Sequence, residues 1–109
     1  MSKLNLPEPI AAYFDADKRD GEAVAHCFTN QGVVEDEGRR HSGPEAIKAW
    51  RNAASAKCSY TSKPFAVEQK DGRYIVTSRL TGNFPGSPVN LRLSFHLERG
   101  KIAYLEIQP

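Results

Sequence analysis

The beginning of the chain places apolar residues at helical spacing. Pro7 and Pro9 suit the first turn of a helix, where a missing N–H group costs no hydrogen bond. Four apolar side chains then share one stripe of that helix: Leu6, Ile10, Tyr13 and Phe14. The pattern predicts a helix that ends near Arg19, with a charged and solvent-exposed opposite face formed by Asp15, Asp17, Lys18 and Arg19.

A second, shorter helix is predicted to start at Asp20, because an N-cap aspartate accepts hydrogen bonds from the free N–H groups of the first turn. Its apolar stripe consists of Val24, Cys27 and Phe28. Residues 29–32 are expected to close this helix, since either Gly32 or Asn30 suits a left-handed cap.

Residues 42–56 are predicted to form a third helix. Ser42 followed by Glu45 matches the capping box, in which the two side chains satisfy backbone N–H groups at the helix start. Three residues are expected to face the core: Ile47, Trp50 and Ala54. Three others are expected to face solvent: Lys48, Arg51 and Asn52.

The second half of the chain alternates apolar and polar residues in the manner of strands. Strands are predicted at residues 60–69, 74–81, 89–97 and 102–108. Pro64 indicates an edge or a bulge, and Asp71-Gly72 favours a type I′ hairpin turn. Helices that precede an antiparallel sheet define an α+β fold.

Length and composition indicate one globular domain spanning residues 1–109. A net charge of +2 from scattered Lys and Arg residues gives no basic patch and argues against a nucleic-acid partner. No apolar run approaches the roughly 20 residues that span a bilayer, and the N-terminus lacks the apolar segment of a secretory signal. We therefore expect no membrane partner and a cytoplasmic location.

The cysteines and histidines show no metal-ligand spacing. Cys27 and Cys58 favour two reduced thiols, with a disulfide between them as the alternative. His26 and His41 have no helper acid, and His96 lies on a polar strand face, where exposure or a dimer contact is favoured over chemistry. No metal and no cofactor are expected, and the chain contains neither a glycine-rich phosphate loop nor a GxSxG elbow.

Asp36 is the candidate for acid–base chemistry. Residues 32–37 alternate like a strand, which places Val34 and Asp36 on one face. An apolar site disfavours the charged form of a carboxylate, so its pKa rises and it becomes a competent general base. The alternative is an exposed Asp36 that pairs with Arg39 or Arg40.

Several short motifs occur in a distinctive order: Tyr13-Phe14, Asp20-Gly21-Glu22-Ala23, Phe28, Val33-Val34-Glu35-Asp36, Gly43-Pro44-Glu45-Ala46-Ile47 and Gly100-Lys101-Ile102. Over about residues 6–108, the chain resembles the nuclear-transport-factor-2-like superfamily, particularly its SnoaL-like polyketide cyclase and ketosteroid isomerase branches. The resemblance implies a cone-shaped, strongly curved mixed sheet wrapped around three N-terminal helices, with an apolar pocket inside. Members commonly dimerise, so a homodimer is expected.

The resemblance also implies roles for particular residues. Asp36 matches the general base of the ketosteroid isomerases. Tyr13 matches their oxyanion donor, if one residue is deleted between Tyr13 and Asp20. The implied ligand pocket contains Phe28, Val34, Trp50 and Leu93. Two positions depart from the family pattern: Leu93 stands near the place of a second, acidic oxyanion donor, and Arg51 stands in place of a supporting tyrosine.

These observations lead to hypotheses from different classes. In the first, the cone binds a small apolar or carbonyl-bearing molecule, from which Asp36 abstracts a proton in an isomerase or cyclase type of step. In the second, the same cone is a non-catalytic ligand-binding or dimerisation module, which the missing acid near Leu93 favours. A third hypothesis is an interaction protein that uses the outer face of the last strands.

Overall fold

The computed structural model describes residues 4–57 and 59–109. Expectations for residues 1–3 and for Cys58 therefore lie outside the described residues. The elements in chain order are α1 (Glu8–Asp17), α2 (Gly21–Ala25), β1 (Phe28–Asp36), β2 (Arg39–Ser42), α3 (Pro44–Lys57), β3 (Tyr60–Lys70), β4 (Arg73–Gly82), β5 (Val89–Glu98) and β6 (Lys101–Gln108).

The strands form one six-stranded sheet in the order β2-β1-β6-β5-β4-β3. Strand β1 runs parallel to β6, and the other neighbouring pairs are antiparallel. The last strand therefore completes the sheet by docking beside the first. This arrangement confirms the predicted α+β class with a mixed sheet.

Helix α1 buries the stripe that its sequence predicts, with Ile10, Tyr13 and Phe14 in the core. Pro7 occupies its N-cap, and no side chain makes a capping hydrogen bond there. Asp20 caps α2 as predicted, because its carboxylate accepts from the backbone N–H of Ala23 at 2.8 Å.

Two predicted boundaries are wrong in the segment after α2. This helix ends at Ala25, and Phe28 begins strand β1, although helical spacing assigned Phe28 to the helix. The physical reason is pairing with the distant β6, where Phe28 lies opposite Ile102. A short apolar run cannot distinguish helix from strand before such a partner is known. The predicted turn after β1 also contains a short strand, Arg39–Ser42, which pairs antiparallel with β1. Ser42, predicted as the cap of the third helix, therefore belongs to a strand opposite Val33, and α3 begins at Pro44.

The β3–β4 hairpin follows its sequence signals. Asp71 and Gly72 both have positive φ angles, of 53° and 77°, as a type I′ turn requires. The register of β3 shifts between Pro64 and Ala66, which confirms the predicted irregularity at the proline.

Gly21 allows α2 to approach α3 closely. A Cβ atom at this position would lie 2.5 Å from the backbone oxygen of Lys48 and 2.6 Å from Oδ1 of Asn52. The Gly21 N–H donates to that Asn52 oxygen at 3.0 Å. The absence of a side chain therefore permits a backbone contact that fixes the helix pair.

The core lies between the helices and one face of the sheet. Its largest fully buried side chains are Phe95, Ile10, Ile47, Ile102, Leu105, Val24, Val34, Val76 and Ser78. Cys27 packs against this core as a half-buried side chain, and its predicted alternative partner, Cys58, lies outside the described residues.

Candidate functional site

A row of apolar side chains crosses the inner face of the sheet from β3 to β6 and leads to Asp36 on β1, with Arg39 opposite Asp36 on the edge strand β2. The strand register places Asp36 opposite Ile107, Ile107 opposite Leu93, Leu93 opposite Val76, and Val76 opposite Val67. Residues directly opposite each other in neighbouring strands project to the same face. Asp36 therefore adjoins the apolar part of this row, and the exposed Arg39 follows it at the sheet edge.

The Asp36 side chain is tied to helix α3. Its Oδ2 atom accepts a hydrogen bond from the indole N–H of Trp50 at 3.1 Å. Both residues are half-buried, and Trp50 packs against the core. Helix α3 and strand β1 thus bring together the two residues proposed as base and pocket wall.

Among the described residues, neither Arg39 nor Arg40, the alternative partners predicted for Asp36, forms an ion pair with it. Arg40 forms an ion pair with Glu35, whose Oε2 atom lies 2.8 Å from the guanidinium. Glu35 also accepts a hydrogen bond from the Tyr104 hydroxyl at 2.6 Å. Adjacent strand residues point to opposite faces, so the outward acid takes the arginine and the inward acid takes the indole.

Burial is the main cause of a raised pKa at Asp36. The hydrogen bond from Trp50 acts in the opposite direction and lowers that pKa, because it stabilises the charged carboxylate. Glu37 raises the pKa through its negative charge, and His41 lowers it. The net rise moves the carboxyl group towards the range in which it can exchange protons near neutral pH.

Tyr13 is enclosed by aromatic rings. Its side chain is only 3% exposed, and its ring contacts Phe14, Phe28 and Phe95 edge-on, with centroids 5.2, 6.3 and 5.4 Å apart. Burial raises its pKa well above the ordinary tyrosine value, so the phenol keeps its proton and can donate a hydrogen bond. Within the described part of the chain, no residue shares a hydrogen bond with its hydroxyl group.

The other residues assigned to the ligand pocket lie in the same interior. Phe28, Val34 and Leu93 are all buried core residues. Val34 and Asp36 share the inner face of β1, as the sequence predicts, and Leu93 shares the row of Asp36. The structure therefore gathers the six candidates around one side of the sheet.

Two cavities lie away from Asp36. One, of about 500 Å³, is lined by Asn5, Leu6, Pro7, Val67, Glu68, Gln69 and Tyr74. The other, of about 270 Å³, is lined by Phe28, Thr29, Asn30, Glu98, Arg99 and Lys101. Neither is lined by Asp36, Tyr13 or Trp50, and only the second contains a predicted pocket residue, Phe28.

The sequence-based expectation was wrong for two charged residues beside this interior. Arg51 was expected to face solvent but is 7% exposed, and Asp17 was assigned to a solvated face. Their side chains are 8% and 10% exposed and form an ion pair at 2.6 Å. The pair is possible because α1 and α3 meet, and nothing in the sequence couples positions 34 residues apart.

Tyr60 completes this charged cluster. Its ring lies under the Arg51 guanidinium at 5.3 Å, and its hydroxyl donates to Oδ1 of Asp17 at 3.5 Å. Burial raises the pKa of Asp17, while the contacts with Arg51 and Tyr60 oppose that rise. The one sequence signal at Arg51 was its place in the family pattern, where a supporting tyrosine is expected.

The histidines do not form a metal site with the acids. Among residues 4–57 and 59–109, no group of three or more His, Cys, Asp or Glu side chains could hold a metal ion. His96 is exposed, and the ring of His41 lies 6.1 Å from that of Trp50. In the same described ranges, no helix has the length and apolar character needed to cross a membrane.

This arrangement of helices and sheet also occurs in solved structures of other proteins. No protein-family model and no curated protein sequence matches the chain. Among solved structures, it is 43% identical to a candidate polyketide cyclase from Sinorhizobium meliloti, with a TM-score of 0.89 over 94% of this chain and 95% of that one.

Two more distant structures share the fold. A protein from Catenulispora acidiphila with a ketosteroid isomerase-like fold, crystallised with trimethylamine, has a TM-score of 0.85 at 16% identity over 96% of this chain and 87% of that one. A nuclear-transport-factor-2-like protein from Cytophaga hutchinsonii has a TM-score of 0.74 at 12% identity over 98% of this chain and 91% of that one.

The fold is thus an α+β cone of the nuclear-transport-factor-2-like type, which confirms the architecture implied by the sequence motifs. At 43% identity over nearly the whole of both chains, the similarity also reaches beyond the fold. The chain belongs to the nuclear-transport-factor-2-like superfamily, in its branch of SnoaL-like polyketide cyclases and ketosteroid isomerase-like proteins.

Proposed function

We propose that this protein binds a small apolar or carbonyl-bearing molecule inside the cone and abstracts a proton from it with Asp36. The observation that carries the proposal is the inward, half-buried Asp36 carboxylate, which lies beside a row of apolar side chains and accepts a hydrogen bond from Trp50. Similarity to a candidate polyketide cyclase supports a reaction of the isomerase or cyclase type.

The proposed step begins at a carbon next to a carbonyl group. Asp36 takes the proton from that carbon, and the electrons of the broken C–H bond pass into the carbonyl group to form an enolate. Tyr13 donates its phenolic proton in a hydrogen bond to the developing oxyanion, because burial keeps this phenol protonated. Return of the proton to another carbon isomerises the molecule, whereas attack of the enolate carbon on a second carbonyl closes a ring.

Burial of Asp36 favours this role on energetic grounds. A base is most effective when its pKa lies near the working pH, and burial shifts the pKa of Asp36 upwards. The Trp50 N–H fixes the carboxylate beside the apolar row, where it is held facing the apolar surface of Ile107 and Leu93.

Proton abstraction can be tested without knowing the natural substrate. Small cyclic ketones such as cyclohexanone exchange the hydrogens beside the carbonyl group for deuterium in D₂O, and NMR follows this exchange. We expect the protein to accelerate exchange and Asp36→Asn to reduce that acceleration by about 100-fold or more. Glu35→Gln is the matched control, because Glu35 is the neighbouring acid on the opposite face. An Asp36→Asn protein with undiminished exchange contradicts the assignment of the base.

One observation favours a second candidate function, in which the cone binds a ligand without converting it. Leu93 is buried and apolar where the family resemblance places a second oxyanion donor, so Tyr13 lacks the partner implied at that position. A molecule that binds tightly and is recovered unchanged, with no deuterium exchange, supports this alternative.

A homodimer and a cytoplasmic location belong to the same proposal. The outer sheet face has a charged cluster in which Arg40 and Tyr104 both contact Glu35, and Arg73 lies over the Tyr104 ring at 5.4 Å. This face is the proposed dimer surface. Sedimentation equilibrium tests it, because a monomer at high protein concentration contradicts any dimer formed through the sheet.

A further inference from the structure

Arg51 is held rigidly on one side of its guanidinium group. Its Nε atom donates to Oδ1 of Asp17 at 2.6 Å, and Nη2 donates to the backbone oxygen of the same residue. The Tyr60 ring covers the guanidinium at 5.3 Å. Asp17 and Tyr60 therefore fix the direction of the remaining nitrogen, Nη1.

The Nη1 atom of Arg51 is buried, and no described atom accepts a hydrogen bond from it. An arginine remains charged at every physiological pH. Burial removes the water that would hydrate such a charged donor. Native proteins almost always replace that water with another hydrogen-bond acceptor, which Nη1 lacks. A structural ion pair with Asp17 explains Nε and Nη2 but leaves the two N–H groups of Nη1 unexplained.

Arg51 also acts on Tyr13, the proposed oxyanion donor. Burial of the Tyr13 side chain raises the pKa of its phenol, and the positive charge of Arg51 lowers that pKa against the larger effect of burial. Asp17 and Asp36 act on it in the opposite direction. The permanent cation of Arg51 is therefore close enough to the proposed site to act on its charges.

We propose that Arg51 Nη1 binds a carboxylate group of the ligand, so that the natural ligand is a compact organic acid. The inference rests on the proposed function, because it names the chemical class that the same interior accepts. Guanidinium N–H groups form strong, directed hydrogen bonds with carboxylates. The hydrocarbon part of the acid packs on the apolar row that includes Leu93 and Ile107, and the Asp36 carboxylate repels the acid group towards Arg51.

Trp50 provides the readout for a test. It is the one tryptophan of the sequence and contacts Asp36, so its fluorescence reports ligands that enter beside the proposed base. The probes are cyclohexanecarboxylate and cyclohexanecarboxamide, which share a shape but differ in charge. At neutral pH we expect the carboxylate to bind about tenfold more tightly, a factor that corresponds to one good charge-assisted contact.

Three variants separate recognition from a purely structural ion pair. The double variant Asp17→Asn/Arg51→Met removes both charges together and so leaves no uncompensated buried ion. We expect it to bind the two probes equally, with folding checked by circular dichroism. Arg51→Lys retains the charge but loses the Nη1 donors, and we expect its preference to fall as well. Arg19→Met is the control, because Arg19 forms an exposed pair with Asp15.

The outcomes distinguish this inference from the proposed function. Equal binding of both probes to the wild-type protein overturns the inference and leaves ligand binding in the cone intact, whereas no binding of either probe contradicts both. A carboxylate preference that survives in the double variant also overturns the inference. If the double variant fails to fold, Arg51→Lys decides, because an unchanged preference in that variant excludes the Nη1 contact.

Discussion

The Trp50 indole donates to the Asp36 carboxylate over 3.1 Å, and this bond joins two residues that lie 14 positions apart. It connects helix α3 to the end of strand β1, so the carboxylate direction depends on the packing of the helix against the sheet. Burial and this hydrogen bond act on the pKa of Asp36 in opposite directions. Removing this hydrogen bond is therefore expected to change the pKa of Asp36.

Replacing Trp50 by phenylalanine keeps an aromatic side chain and removes the N–H donor. We expect the pKa of Asp36 to rise further, because the bond from Trp50 lowers it while burial raises it. Carboxyl-detected NMR titration measures the change. Tyr104→Phe is the matched control, since it removes a donor from the adjacent Glu35 and leaves Asp36 untouched. An unchanged or lowered pKa of Asp36 in Trp50→Phe contradicts the role of the indole.

The neighbouring acids Glu35 and Asp36 are expected to affect stability with opposite dependence on pH. Burial raises the folded pKa of Asp36 above the unfolded value of 3.8, so its contribution to stability is lost as the pH rises through the folded pKa. The Tyr104 hydroxyl, followed by Arg40, holds the pKa of Glu35 below 4.5. That contribution is present above the unfolded value and is lost as the pH falls through the folded pKa.

Urea denaturation of two variants at about pH 3 and about pH 7 measures how the contribution of each acid to stability changes with pH. We expect the free energy of unfolding of Asp36→Asn, measured relative to the wild-type protein, to be higher at the higher pH than at the lower one. For Glu35→Gln we expect the opposite change. The two variants serve as controls for each other because the residues are adjacent on one strand. A shift of the same sign in both contradicts the assigned environments.

Removal of Arg51 alone leaves the Asp17 carboxylate buried without its partner. We expect Arg51→Ala to lower the free energy of unfolding by about 3–5 kcal/mol, the usual cost of breaking a buried ion pair from one side. The exposed pair of Arg19 and Asp15, with side chains 67% and 73% exposed, is the control, and Arg19→Ala is expected to cost about 1 kcal/mol or less. Similar losses in both variants are inconsistent with a buried pair.

Phe95 contacts both Tyr13 and Phe14 at the centre of the core. Its side chain is fully buried, so we expect Phe95→Ala to lower the free energy of unfolding by about 3–5 kcal/mol. Phe65 is 53% exposed, and Phe65→Ala is expected to stay within about 0.5 kcal/mol of the wild-type protein. Chemical denaturation compares the two. A small loss at Phe95 means that the core repacks around the cavity.

Local patterns identified most elements because their signals act within a few residues. Asp20 caps α2, Asp71-Gly72 forms the hairpin turn, and Pro64 marks an irregular strand, each as predicted. The errors fell where a distant partner decides. Phe28 lies in a strand because Ile102 pairs with it, and no property of residues 24–32 reveals that partner.

The sequence by itself determined the α+β class, the inward face shared by Val34 and Asp36, and the superfamily. Alternation along a strand and stripes along a helix require no knowledge of distant residues. Only the tertiary structure decided that Trp50 binds Asp36 and that Arg51 is buried against Asp17. Helical spacing sets which residues share a face, but the exposure of each face depends on the elements that pack there. Arg51 can be buried because the fold brings Asp17, at the end of α1, close enough to form an ion pair with it.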